Sequence, residues 1–192
     1  MASYALFIPS IERAEGGYQN LKNDKGNYNS LGERVGTNHG VSAKFYERVM
    51  GFPPSVEDMK NITKQDSHIL FKNEFWDRML ADEISDQGIA EIIVDHAINA
   101  NPRVTSKIVQ RTLNTYFGKH LAVDGAVGPK TIQAINAVEP SRFFEKLAIA
   151  RIDYYERLSD FQYFGKSWTK RVLDLSQKFG IELKKKCQYY SL

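Results

Sequence analysis

Cysteine is nearly absent from this sequence: of 192 residues only Cys187, close to the C-terminus, carries a thiol. A lone thiol excludes an intrachain disulfide, and no Cys/His cluster has zinc spacing. The four histidines (His39, His68, His96 and His120) are scattered, so neither a metal nor a cofactor is expected. Long hydrophobic runs are missing as well. No stretch of about 18 apolar residues occurs, which excludes a membrane-spanning helix. The start, MASYALFIPSIERAEGG, lacks a basic n-region and its apolar patch is interrupted by Pro9. It does not read as a cleavable secretory signal. The expectation is a chain made in the cytoplasm that stays there or leaves by a non-classical route.

What is present is ordinary for a soluble globular protein: 42% hydrophobic and 26% charged residues, enough for one good core or two small lobes. The net charge of +3 hides an asymmetry. Residues 1–90 hold 10 Lys/Arg against 13 Asp/Glu, and residues 91–192 hold 16 against 10. A basic second half suits an anionic polymer such as a wall glycan or a nucleic acid. Three of its charges, however, are the Lys run at 184–186, which reads as a solvated helix end. Nothing resembles an aromatic-interleaved nucleic-acid platform, so no nucleic-acid partner is expected.

Helix signals dominate. ALFIPSIERAE has helical apolar spacing and stops at Gly16-Gly17, with Pro9 requiring either the first turn or a kink. Residues 18–40 lack helical periodicity and read as a long loop or a small β-hairpin region. VSAKFYERVMG resumes as a helix. Ser55 with Asp58 predicts a cap, and Thr63 another, opening one helix over KQDSHILFKNEFWDRML. In that helix Ile69, Leu70, Phe75, Trp76, Met79 and Leu80 form the apolar stripe. DQGIAEIIVDHAINAN and RVTSKIVQRTLNTYFG predict two more helices, and Pro129 opens a third. Ser141 opens a long helix to about Leu158, FQYFGKSW reads as an aromatic loop, and TKRVLDLSQKFGIEL closes the chain as a helix. The fold class is mainly α.

Glu15 is the residue that invites chemistry. If the first helix stops at the two glycines, its carboxylate faces the negative end of the helix dipole, which favours the protonated form. Partial burial acts the same way, and an acid kept protonated near neutrality is what general-acid catalysis needs. The alternative is an ordinary glutamate before a helix-ending glycine. Asp24, nine positions on, can supply the second carboxylate of a glycoside hydrolase, or can simply be the aspartate of a turn.

EGGY, then DKG, then TNHGV at 37–41 resembles the E-G-G-Y…D-x-G-G…T-x-x-G-I signature of glycoside hydrolase family 108. Members are lysozyme-like N-acetylmuramidases, some labelled secretion activators. Further along, DHAINAN, VQRTLN, VDGAVGPKT, ARIDYY and GKSWTKRV resemble the predicted peptidoglycan-binding module attached to that family. The likeness covers nearly the whole chain, in order. It implies a two-lobed lysozyme-like fold, with a catalytic lobe at 1–88 packed against a helical binding lobe at 89–192. It also implies peptidoglycan glycan strands as partner and the cell wall as place of action. Glu15 matches the catalytic glutamate, Asp24 the following acid and Thr37 the signature threonine. Phage-type lysozymes have a similar layout with the same Glu-to-Asp interval, but here NYNSLGERVG lengthens the Asp-to-Thr interval. Asn27 also stands where the family has a second glycine.

Tyr18, directly after the glycines, and His39 are the sugar-side candidates near this site, with Trp168 in the second half. Trp168 either stacks on a sugar or packs under its loop. Asp124 in VDGAVGPKT either ties down a turn or touches glycan, and Asp95 with Asn99 can brace the lobes. The rival reading is a non-catalytic peptidoglycan-binding protein that assists secretion or envelope assembly.

Overall fold

The computed structural model describes residues 1–14 and 16–183, with the backbone alone at Arg13 and Ala14. Glu15, the lysine run at 184–186 and Cys187 lie outside the described residues. The chain forms two compact units. The smaller is Ala5–Asn73, and the larger joins residues 1–4 to those from Glu74 onward. The compact units thus part at 73/74, whereas the sequence reading divides activities at 88/89.

In the smaller unit the helix α1, Tyr4–Ala14, enters at Ala5 and buries Phe7 and Ile11, four residues apart on one face. Pro9 lies inside it, past the first turn. The helix is described as far as Ala14, and Gly17 does not take a left-handed φ. The strands β1, Thr37–Asn38, and β2, Val41–Ser42, pair antiparallel. The turn between them, His39 (φ 43°) and Gly40 (φ 74°), has two positive φ values, the geometry that matches strand twist in a two-residue hairpin. The rest of the expected hairpin region is held by the isolated bridges Gln19–Thr37 and Tyr28–Arg34.

Helices α2 (Ala43–Met50), α3 (Val56–Asn61) and α4 (Lys64–Phe71) complete this unit. Both predicted caps form. Ser55 and Asp58, and Thr63 and Asp66, make reciprocal capping boxes, and the hydroxyl and N–H of each cap hold its aspartate below the usual carboxylate range. The single helix expected over 64–80 does not occur. After Phe71 the backbone widens into a π-helical turn, Lys72–Trp76, and Leu80 takes a left-handed φ of 49° before a 3₁₀ turn at Ala81–Glu83. Trp76 is fully buried with its indole N–H on Asp82. Ile69, expected in the apolar stripe, is 51% exposed.

The larger unit is built on α5, Gln87–Asn99, in which every residue from Gly88 to Ala97 is buried. A helix covered all round is a core helix. Around it pack α6 (Pro102–Phe117), α8 (Pro140–Glu156) and α9 (Phe161–Lys178), with α7 (Pro129–Asn136) against α6. Proline starts α6, α7 and α8 at the position where its missing N–H costs nothing. The start expected at Ser141 moves to the cap Glu139, whose carboxylate accepts from the backbone N–H groups of Ser141 and Arg142. FQYFGKSW is the first half of α9 rather than a loop. Its buried Gly165 lies against the Phe161 ring, where a Cβ would approach to 2.6 Å, so glycine here marks close packing and not a turn.

Candidate functional site

The segment between the glycines and α2 carries little regular structure, so its shape depends on side-chain hydrogen bonds. Asn27 is its hub. It is completely buried, and its carbonyl accepts from the N–H groups of Val35 and Gly36. Its amide nitrogen donates to the Leu21 carbonyl (3.0 Å) and to Gln19 Oε1 (2.9 Å). Buried polar groups need such partners, since an unpaired one costs about 1–3 kcal/mol. Gly36 (φ 97°) has no alternative residue: a Cβ there would lie 2.7 Å from the Gln19 carbonyl oxygen and from the Tyr18 ring.

The candidate residues fall around this hub. Asp24 is exposed and caps the 3₁₀ turn Lys25–Asn27, with Oδ1 accepting from the Gly26 N–H at 2.8 Å. Its Oδ2 accepts from Gln19 Nε2 at 2.9 Å. Thr37, on β1, donates its hydroxyl to Asn27 Oδ1 at 2.7 Å. Gln19 Nε2 also reaches Asn27 Oδ1 at 3.1 Å. The structure therefore links Asp24 and Thr37 through two amides, Gln19 and Asn27. Sequence reading missed Gln19 and recorded Asn27 only as a departure from the family pattern.

Tyr18 is half-buried. Its hydroxyl donates to the Val35 carbonyl (3.1 Å) and accepts from Asn20, while the Lys60 ammonium sits 5.4 Å from its ring centre. His39 occupies the hairpin turn, its carbonyl taking the Ser67 hydroxyl at 2.6 Å. With Ile11, Glu12, Lys64, Ser67 and His68 it lines a cavity of about 40 Å³, room for about one water. Glu15 is outside the described residues. Gly16 and Gly17, which follow it, are exposed with nothing within 4 Å of an added Cβ.

In the larger unit the quoted motifs meet one another. Asp95 accepts from Arg151 (2.7 Å) and Arg171 (2.6 Å), so DHAINAN, ARIDYY and GKSWTKRV form one cluster. One turn earlier on α5, Glu91 takes Lys178 at 2.6 Å. Asn99 donates to the Asp95 carbonyl. Asp95 thus ties α5 to α8 and α9 within this unit. Fully buried Arg151 also donates to the Ile92 carbonyl and the Tyr155 hydroxyl. Beside it His96 is buried, with Thr105 at 3.0 Å from Nδ1, and its pKa falls well below the ordinary histidine value through burial first and the Arg151 charge second. Asp124 builds the turn, as one of the two readings held: the Ala126 N–H and the Gln110 amide hold its carboxyl below the usual range. Half-buried Trp168 lies between the Tyr155 and Phe164 rings at 5.4 and 5.7 Å, and Phe164 is 52% exposed.

The mainly helical architecture with one small antiparallel hairpin is that of a lysozyme-like fold. The solved structure of Brucella abortus SagA shares it over 95% of this chain and 97% of that one, with a TM-score of 0.78 at 24% identity. No curated protein matches the chain. Residues 8–100 match the family model described as Glycosyl hydrolase 108, and residues 104–173 match the Predicted Peptidoglycan domain. The chain thus carries a segment matching glycosyl hydrolase 108 followed by one matching a peptidoglycan domain, as the resemblance implied. Peptidoglycan is its partner and the cell wall its place of action.

Proposed function

We propose that this protein is an N-acetylmuramidase that hydrolyses the β-1,4 bond between N-acetylmuramic acid and N-acetylglucosamine, with Glu15 as general acid. The observation that carries the reading is the hydrolase match over residues 8–100, which contains Glu15 and the whole hairpin network. Glu15 gives its proton to the leaving oxygen as the bond to the anomeric carbon breaks through an oxocarbenium-like state. Water adds to that carbon and its surplus proton leaves to solvent. Asp24, with Thr37, stabilises the transient charge and orients the water. Tyr18 and His39 contact the sugar on this side. Residues 1–88 form the catalytic lobe. Residues 89–192 retain the glycan strand, with Trp168 stacking on a sugar face; its half-buried ring and exposed neighbour Phe164 support that role.

One observation favours the rival, a non-catalytic peptidoglycan-binding protein assisting secretion or envelope assembly. Both oxygens of Asp24 already accept hydrogen bonds within the turn, as in an aspartate kept for structure. Incubating purified peptidoglycan with wild type and Glu15→Gln separates the two. Muropeptide release by wild type alone supports the enzyme, equal release removes Glu15 as the acid, and binding without release supports the rival. Mass spectrometry of the products distinguishes hydrolysis from transglycosylation, which leaves an anhydro sugar.

A further inference from the structure

The hydrogen bonds around Asn27 have a direction that the backbone dictates. The Leu21 N–H, 2.9 Å from the Gln19 side chain, can only donate, so the atom it meets is the amide oxygen of Gln19. The Gln19 nitrogen then faces Asp24 Oδ2 and Asn27 Oδ1. The Leu21 carbonyl can only accept, so the atom 3.0 Å from it is the amide nitrogen of Asn27. Two independent backbone groups therefore fix both amides. Asn27 Oδ1 is left as an acceptor, and Thr37 must give it its single hydroxyl proton, at 2.7 Å.

We propose that Asn27 and Gln19 are positioning residues that fix the Thr37 hydroxyl as an acceptor, so that whatever meets Thr37 from the glycan side must donate to it. The group that fits is the attacking water. A water that donates one O–H to Thr37 keeps its lone pairs for the anomeric carbon, whereas a freely rotating hydroxyl would offer its own proton to those lone pairs. Thr37 is half-exposed while Asn27 is completely buried, so the polarity is set from beneath and displayed at the surface. Asn27, where the family pattern has glycine, is on this account a functional residue of this chain. Asp24 anchors the outer end of the relay through Gln19. The inference rests on the muramidase reading above.

A double-mutant cycle on muropeptide release tests it. Asn27→Gly is expected to lower kcat between about tenfold and a hundredfold, as expected for a misplaced reacting group, with KM unchanged. In a Thr37→Val background the same substitution is expected to change nothing further, since there is no hydroxyl left to orient. Thr37→Ser, which keeps the hydroxyl, is expected to retain kcat. Should Asn27→Gly fail to fold, Gln19→Met carries the same cycle. An equal loss in both backgrounds, or none in wild type, overturns the proposal while leaving the muramidase reading in place. No release by wild type overturns both.

Discussion

The smaller unit and the larger unit are both stapled by side-chain hydrogen bonds, but with opposite consequences. In the larger unit the staples include buried ion pairs, and both Asp95 oxygens are taken by arginines. Gln110 spends its nitrogen on Asp124 and Ala126 and its oxygen on Gly125. In the smaller unit they are neutral amides, and the chain of bonds ends at a half-exposed hydroxyl and an exposed carboxylate. Motif residues that complete one another's hydrogen bonds build the scaffold. Those left with capacity facing outward are the ones available to a ligand.

The comparison can be broken in order of expected effect. Glu15→Gln should lower muropeptide release by about 10²–10⁴-fold, the usual contribution of a general acid, with the thermal midpoint unchanged. Next, Asp95→Asn leaves Arg151 buried without its counter-charge and should cost about 3–5 kcal/mol in denaturant titration. Replacing both partners, as Asp95→Leu with Arg151→Met, should recover part of that loss.

His96 gives a smaller, pH-dependent term. Its folded pKa lies below the unfolded value, so the unfolded chain binds a proton first as pH falls. Stability should be full above pH ~6.5 and decline below it until the folded pKa is reached, by at most ~1.4 kcal/mol per pH unit. The groups facing the ring are Arg151, Thr105, Tyr154 and Tyr155, with Asp95 beside it on α5. Thermal midpoints of wild type and His96→Gln between pH 4 and 8 should diverge on the acid side; parallel curves would remove His96 as the cause. Smallest of all, Tyr163→Ser, at a side chain 74% exposed, should change stability by less than about 0.5 kcal/mol. Peptidoglycan pull-down with Trp168→Ala, by contrast, should show weaker retention.

Much of the helical framework was legible because its signals are local. The boxes at Ser55 and Thr63 and the proline start at 129 each lie within a few residues. Where reading failed, a tertiary demand had overridden the local pattern. Burying Trp76 beside Asp82 goes with a break in the helix expected to reach residue 80, and the glycine of FQYFGKSW serves ring packing inside a helix. At the candidate site Asp24 and Thr37 were visible as motif members, but the amides joining them were not. Gln19 and Asn27 are eight residues apart in a segment with no periodicity.

The sequence by itself determined the class of fold, several helix caps and the order of motifs that marks a glycosyl hydrolase 108 segment with a peptidoglycan domain behind it. These are encoded in short-range spacing and residue type. Only the tertiary structure decided which groups meet: that Asp95 accepts from both Arg151 and Arg171, up to 76 residues apart, and that Asn27 accepts a hydrogen bond from the Thr37 hydroxyl. Hydrogen-bond partnership depends on where loop closure and packing bring groups together, and the spacing of residues along the chain carries no record of it.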